Sequence, residues 1–87
     1  MTNEEIFKLI QKTLAKKLEL QENEISQISR ETTFDDLANE YDFDSLERIE
    51  FVMDIERQCH ISIPDDEVEW MKNLDDMTNC FEKRLPH

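Results

Sequence analysis

The sequence contains no glycine and only two prolines. All-β folds need many tight turns, and those turns draw heavily on glycine, so that class is disfavoured. A Gly-rich loop cradling a phosphate cannot be built at all. No apolar run approaches the roughly 20 residues of a membrane-spanning helix. The start, Met1-Thr2-Asn3-Glu4-Glu5, has no basic stretch and no apolar segment behind it, so no secretory signal is read. There are two cysteines, Cys59 and Cys80, enough for one disulfide at most. Neither has a second Cys or a His at zinc-ligand spacing, so no metal site is expected. The reading is a cytoplasmic protein with reduced thiols, both at helical spacing from apolar neighbours and expected in the core.

Basic residues are also scarce. Ten Lys and Arg stand against 22 Asp and Glu, a formal net charge of −12 over 87 residues. Such a surface repels nucleic-acid phosphates and anionic lipid, and it either steers encounters with basic protein surfaces or serves solubility alone. A chain of this length makes one domain, residues 1–87, with no room for both a scaffold and a deep substrate cleft. A self-sufficient enzyme is therefore disfavoured, no catalytic residues are assigned, and a monomer is assumed. Crowded acid on so small a body destabilises it by self-repulsion. Added salt or magnesium is expected to raise the melting temperature. A flat or falling value across a salt series would contradict that expectation.

What is present is helical patterning. Ile6, Ile10, Leu14 and Leu18, with Phe7 beside them, predict a helix from about Asn3 to Leu18. Thr2 and Glu5 have capping-box spacing at its start, and Lys16 and Lys17 complement the dipole at its end. A polar segment from about Leu20 to Phe43 is punctuated by Ile25, Ile28, Phe34 and Leu37, which suggests a loop pinned to a core. Phe34-Asp35-Asp36-Leu37 fits a short helical turn. A second main helix is expected from Ser45 to about Cys59, with Asp44 as N-cap. Ile61-Ser62-Ile63-Pro64 reads as an extended link, Asp65 to Met71 as a short helix begun by proline and acid, and Leu74 to Leu85 as a last helix capped by Asn73. The sum is an all-α chain, a small four-helix bundle with three longer helices and one short third one. His87 is expected to be disordered.

The Ser45–Cys59 helix has two apolar faces at about 100° per residue. Phe51, Val52, Ile55 and Cys59 make an ordinary core face. Leu46, Ile49 and Met53 lie nearly opposite, ringed by Glu47, Glu50, Asp54 and Glu56. An apolar stripe rimmed by acid suits partner docking, although packing of Ile49 and Leu46 beneath loops is the plain structural alternative. Ser45 opens this helix, where unpaired backbone N–H groups and the positive end of the dipole favour a phosphate. An ordinary first-turn serine beside an aspartate cap is the plain reading of the same residue.

Asp44-Ser45-Leu46 resembles the attachment motif of acyl carrier proteins. The likeness continues through Glu47, Ile49-Glu50, Val52-Met53 and Ile55-Glu56, through Ile63-Pro64-Asp65, and in Phe34-Asp35-Asp36-Leu37, and it spans about Ile6 to Phe81. It implies that Ser45 bears a 4'-phosphopantetheine arm attached from coenzyme A by a phosphopantetheinyl transferase. It implies that Asp44 and Glu47 help present that serine, and that Leu46, Glu50, Met53 and Glu56 form the face read by partner enzymes. Phe51 and Ile55 are candidates to line an acyl pocket. The working thiol belongs to the arm, not to Cys59 or Cys80. The partners implied are acyl-activating or acyl-transferring enzymes with basic docking patches, in fatty acid, polyketide or related biosynthesis.

Two departures mark this sequence. Ala38–Phe43 separates Leu37 from Asp44 by six residues without a glycine, a longer and bulkier approach than the family's Leu-Gly and one further residue. Arg48 falls on the apolar side of the wheel, close to the helix start, and brings positive charge into an acidic face. Both incline the reading towards a specialised carrier over a housekeeping one. Peptidyl carriers fit less well, and carriers of alanine stay open. An unmodified acidic adaptor of the same fold, with Ser45 bare, is the main alternative. An EF-hand fails because Asp42-x-Asp44 lacks the loop's glycine and its regular oxygens. A hydrolase built on Ser45 and His60 fails because about 22 Å of helix separates them.

Overall fold

The computed structural model describes residues Met1–Leu85, so His87 lies outside the described residues. Six helices follow in order: α1 (Asn3–Lys17), α2 (Glu22–Ile25), α3 (Phe34–Tyr41), α4 (Ser45–Cys59), α5 (Asp65–Trp70) and α6 (Leu74–Arg84). The all-α class and the four expected helices are present. The segment read as a pinned loop adds two more.

Local chemistry accounts for the additions. Glu24 Oε1 accepts the N–H of Gln21 at 3.0 Å at the start of α2. Thr33 Oγ1 accepts the N–H of Asp36 at 3.0 Å, and buried Phe34 and Leu37 hold α3 to the core. Thr33 and Asp36 carry the spacing of an N-cap, so α3 had a signal in the sequence. Its extension to Tyr41 depended on packing. Four of the six surplus residues, Ala38–Tyr41, thus become the last turn of a helix, and Asp42 and Phe43 follow it.

With no glycine available, residues with side chains fill the left-handed positions. Asp42 (φ 55°) closes α3, His60 (φ 57°) closes α4, and Glu19 (φ 53°) follows α1. Asp is among the side chains that tolerate this region most readily. The expected capping box of Thr2 and Glu5 forms. At α6, Asn73 Oδ1 accepts the N–H of Asp76, while Asp76 Oδ2 accepts that of Lys72.

The core is one cluster. α1 supplies Ile6, Ile10 and Leu14, α4 supplies Phe51, Val52, Ile55 and Cys59, and α6 supplies Leu74, Met77 and Phe81. Each fully buried large side chain contributes about 1.5–3 kcal/mol relative to exposure. α5 differs, since none of its residues is fully buried. The approach to α3 is stitched to the start of α6 by Phe34 N–H to Lys72 O (3.0 Å), Leu74 N–H to Thr32 O (3.1 Å) and the Arg30–Asp75 ion pair (3.0 Å).

Both thiols are free. Cys59 is buried as expected, but Cys80 is only half-buried, with Sγ near the Glu67 carboxylate. Burial pushes both thiols above their ordinary range, and Glu67 adds to the effect at Cys80. Neither is a poised nucleophile.

Candidate functional site

Ser45 is the first residue of α4. Asp44 is extended and its Oδ1 accepts the N–H of Glu47 at 2.9 Å, which fixes where the helix begins. Behind it, Phe43 is a buried plug. Its ring lies 6.5 Å from Phe34, stacked, and 5.8 Å from Phe51, edge-on. Asp42 turns the chain with positive φ, and Phe43 N–H reaches back to Leu37 O. The backbone entering Ser45 is therefore held by an aromatic anchor two residues before it.

Ser45 itself is exposed. A substituent on its Oγ meets no packed neighbour, and the N–H groups of Ser45 and Leu46 lie outside the intrahelical ladder. A phosphodiester there faces those groups and the positive end of a 15-residue helix. The residues present fit a phosphate-linked prosthetic group.

The second face of α4 is open to solvent. Leu46 is 64% exposed, Ile49 50% and Met53 49%, a stripe at helical spacing. Packing of Leu46 and Ile49 beneath loops is thereby excluded. The acidic rim is less uniform than the helix wheel implies. Lys17 at the end of α1 lies 3.6 Å from Glu47 and 3.5 Å from Glu50, so one cation serves both carboxylates. Asp54 pairs with Arg57. Glu56, expected on the recognition face, accepts the N–H of Ile63 at 2.8 Å and so holds the link into α5.

Phe51 and Ile55 are fully buried and packed within the core. The open apolar groove beside Ser45's helix is instead lined by Ile49, Val52 and Met53 of α4 and by Val68 of α5, with Glu56 and Glu69 at its edges. Its volume is about 280 Å³. Phe51 and Ile55, the proposed pocket residues, face the solid core; the wheel gave that face correctly, but the crevice lies at its border with α5. Val68 was missed, because a single valine in a short acidic helix gives no sequence signal.

Arg48 does not add charge to the acidic face. It turns inward, and its Nη2 donates to Val68 O at 2.6 Å and to Met71 O. Its guanidinium carbon stands 4.3 Å over the Phe34 ring. Burial lowers its pKa from the usual arginine value, while Asp35 opposes that shift; arginine stays charged throughout. The signal was its place on the apolar side of the wheel, but its partners lie 20 and 23 residues away.

Comparison with known proteins agrees with this geometry. The family profile described as "Phosphopantetheine attachment site" matches residues 8–81. An acyl carrier protein of Exiguobacterium sibiricum is 37% identical over 86 residues, covering 98% of this chain and 100% of the relative. One from Guillardia theta is 32% identical over 85 residues, covering 98% of each chain. One from Porphyromonas gingivalis is 36% identical over 62 residues, covering 71% of this chain and 76% of the relative. With a profile match across most of its length and these near full-length relatives, the chain belongs to the acyl carrier protein family, whose prosthetic group is 4'-phosphopantetheine.

Proposed function

We propose that Ser45 is the residue that carries the arm and that residues 1–87 act as one carrier domain presenting acyl groups to partner enzymes. The supporting observation is an exposed serine at the first position of α4, directly after its aspartate cap, with an aromatic anchor behind it. When bound, the arm supplies a terminal thiol that holds acyl groups as thioesters. The chain's own part is to place Ser45 Oγ in solvent and to offer first-turn N–H groups to the phosphodiester. Attachment joins Oγ to the phosphorus of the pantetheine half of coenzyme A, with loss of the hydroxyl proton and departure of the adenosine bisphosphate half.

The partners in this reading are a phosphopantetheinyl transferase and acyl-activating or acyl-transferring enzymes, meeting the Leu46/Ile49/Met53 stripe and the carboxylates of Asp44, Glu47 and Glu50. The pathway is fatty acid, polyketide or related biosynthesis, and the long approach to Ser45 favours a dedicated one. Intact mass after incubation with coenzyme A and a broad-specificity transferase tests the assignment. A gain of one phosphopantetheine unit supports it. No gain with several transferases would leave an unmodified adaptor as the better account.

The docking stripe gives a separate expectation. Leu46→Glu with Met53→Glu is expected to leave stability within about 0.5 kcal/mol, since both side chains are largely exposed. Loading by the transferase is expected to fall at least about tenfold in kcat/KM, the effect of losing 1.4 kcal/mol or more of interface energy. An unchanged kcat/KM would remove the stripe from the interface.

A further inference from the structure

α5 is held to its neighbours more by polar ties than by apolar burial. It contributes no fully buried residue, and Val68 is only partly buried against the core. Yet it is fastened along its length. Before it, Glu56 of α4 accepts the N–H of Ile63. In its middle, Glu67 takes Arg84 Nε of α6 at 2.9 Å. At its end, Arg48 of α4 donates to the carbonyls of Val68, which also accepts the Met71 N–H, and of Met71, the C-cap residue. A cation there also meets the negative end of the dipole. The Arg48 tie is sheltered, with its Nε buried and its guanidinium over Phe34, whereas the Glu67–Arg84 bond is exposed.

Those ties bear on the groove between α4 and α5. Its walls come from α4 and α5, with Ile49, Val52 and Met53 on one side and Val68 on the other, so the distance between the two helices sets its width. Movement of α5 away from α4 enlarges it. Arg48 and Glu56, both on α4, hold the two ends of α5 against that movement.

We propose that Arg48 is a specificity-determining positioning residue: by clamping the end of α5 to α4 it limits the groove to a short acyl chain and leaves long chains in solvent. The inference rests on the carrier reading of Ser45, and it deepens that reading by naming the cargo class. Arg48 touches no acyl group; it acts through the position of α5.

Loading wild type, Arg48→Met and Arg48→Lys with butyryl, octanoyl and palmitoyl arms, each confirmed by intact mass, tests it. The readout is the melting temperature of each acyl form against the form with a free thiol. In wild type, butyryl is expected to raise it and palmitoyl to leave it unmoved. In Arg48→Met, which keeps the bulk and loses the donors, palmitoyl is expected to raise it by about 4 °C or more. Arg48→Lys keeps a donor and is expected to restore the short-chain preference. Equal protection by palmitoyl in wild type and Arg48→Met overturns the proposal. Hydrogen exchange on the unmodified protein supplies a readout independent of the arm and of whether Arg48→Met folds. The amides of Val68 and Met71 are expected to be protected in wild type like those of α4, and to exchange at least about tenfold faster without the clamp. Unprotected amides in wild type would refute the clamp whatever Ser45 carries, whereas failure of Ser45 to accept the arm would refute the carrier reading and leave the clamp to be judged by exchange alone.

Discussion

Replacing Ser45 with alanine is expected to abolish attachment of the arm completely while leaving the fold intact. The two effects separate because of where the residue sits. The hydroxyl is exposed at the first position of α4, and the cap bond to Glu47 N–H comes from Asp44, not from Ser45. Alanine is the best helix former, so the substitution carries no helix-propensity cost. The urea midpoint is expected to move by the equivalent of no more than about 0.5 kcal/mol. Intact mass after treatment with coenzyme A and transferase should show the added unit in wild type alone. Modification of Ser45→Ala at another residue would displace the site. A large loss of stability would show that the serine has a structural duty the geometry does not reveal.

Phe43→Ala is expected to be the most destabilising single change near the site, at about 3–5 kcal/mol. A domain of this size has about 5–15 kcal/mol in all, so a substantial fraction of its stability goes with one side chain. Phe43 is buried between Phe34 and Phe51 and joins the end of α3 to the start of α4. Truncation leaves a cavity that Asp42 and Asp44, both exposed and charged, cannot fill. The urea midpoint should fall with little change in slope. The entry to Ser45 loses its anchor at the same time, so loading should slow even under conditions where the variant is folded. A loss below about 1 kcal/mol would mean that the approach to Ser45 is held by the α3 backbone alone.

These expectations draw unequally on the sequence. The start of α4 was legible because Asp44 and the N–H it caps are three residues apart, and such local pairs need no knowledge of the rest of the chain. The buried face of Phe51, Val52, Ile55 and Cys59 and the second stripe of Leu46, Ile49 and Met53 followed from periodicity, but only the fold decided that this stripe stays open and is not covered by loops. The segment before α4 was harder. Its caps at Gln21 and Thr33 are local, but the length of α3 depends on Phe34, Leu37 and Phe43 meeting residues of other elements.

The sequence by itself determined the helical class, the two apolar faces of α4, the serine at its start and the acidic balance of the chain. Each follows from spacing along one element or from composition, and needs no distant partner. Tertiary structure alone decided what the charges do. Lys17 is shared between Glu47 and Glu50, Glu56 serves the backbone of Ile63, and Arg48 clamps α5 instead of facing a partner. A charged side chain is long and flexible, so its role is set by whichever opposite charge or unpaired carbonyl the fold brings within reach. For Arg48 the accepting carbonyls belong to Val68 of α5 and to Met71 just after it, and no pattern within α4 could name them.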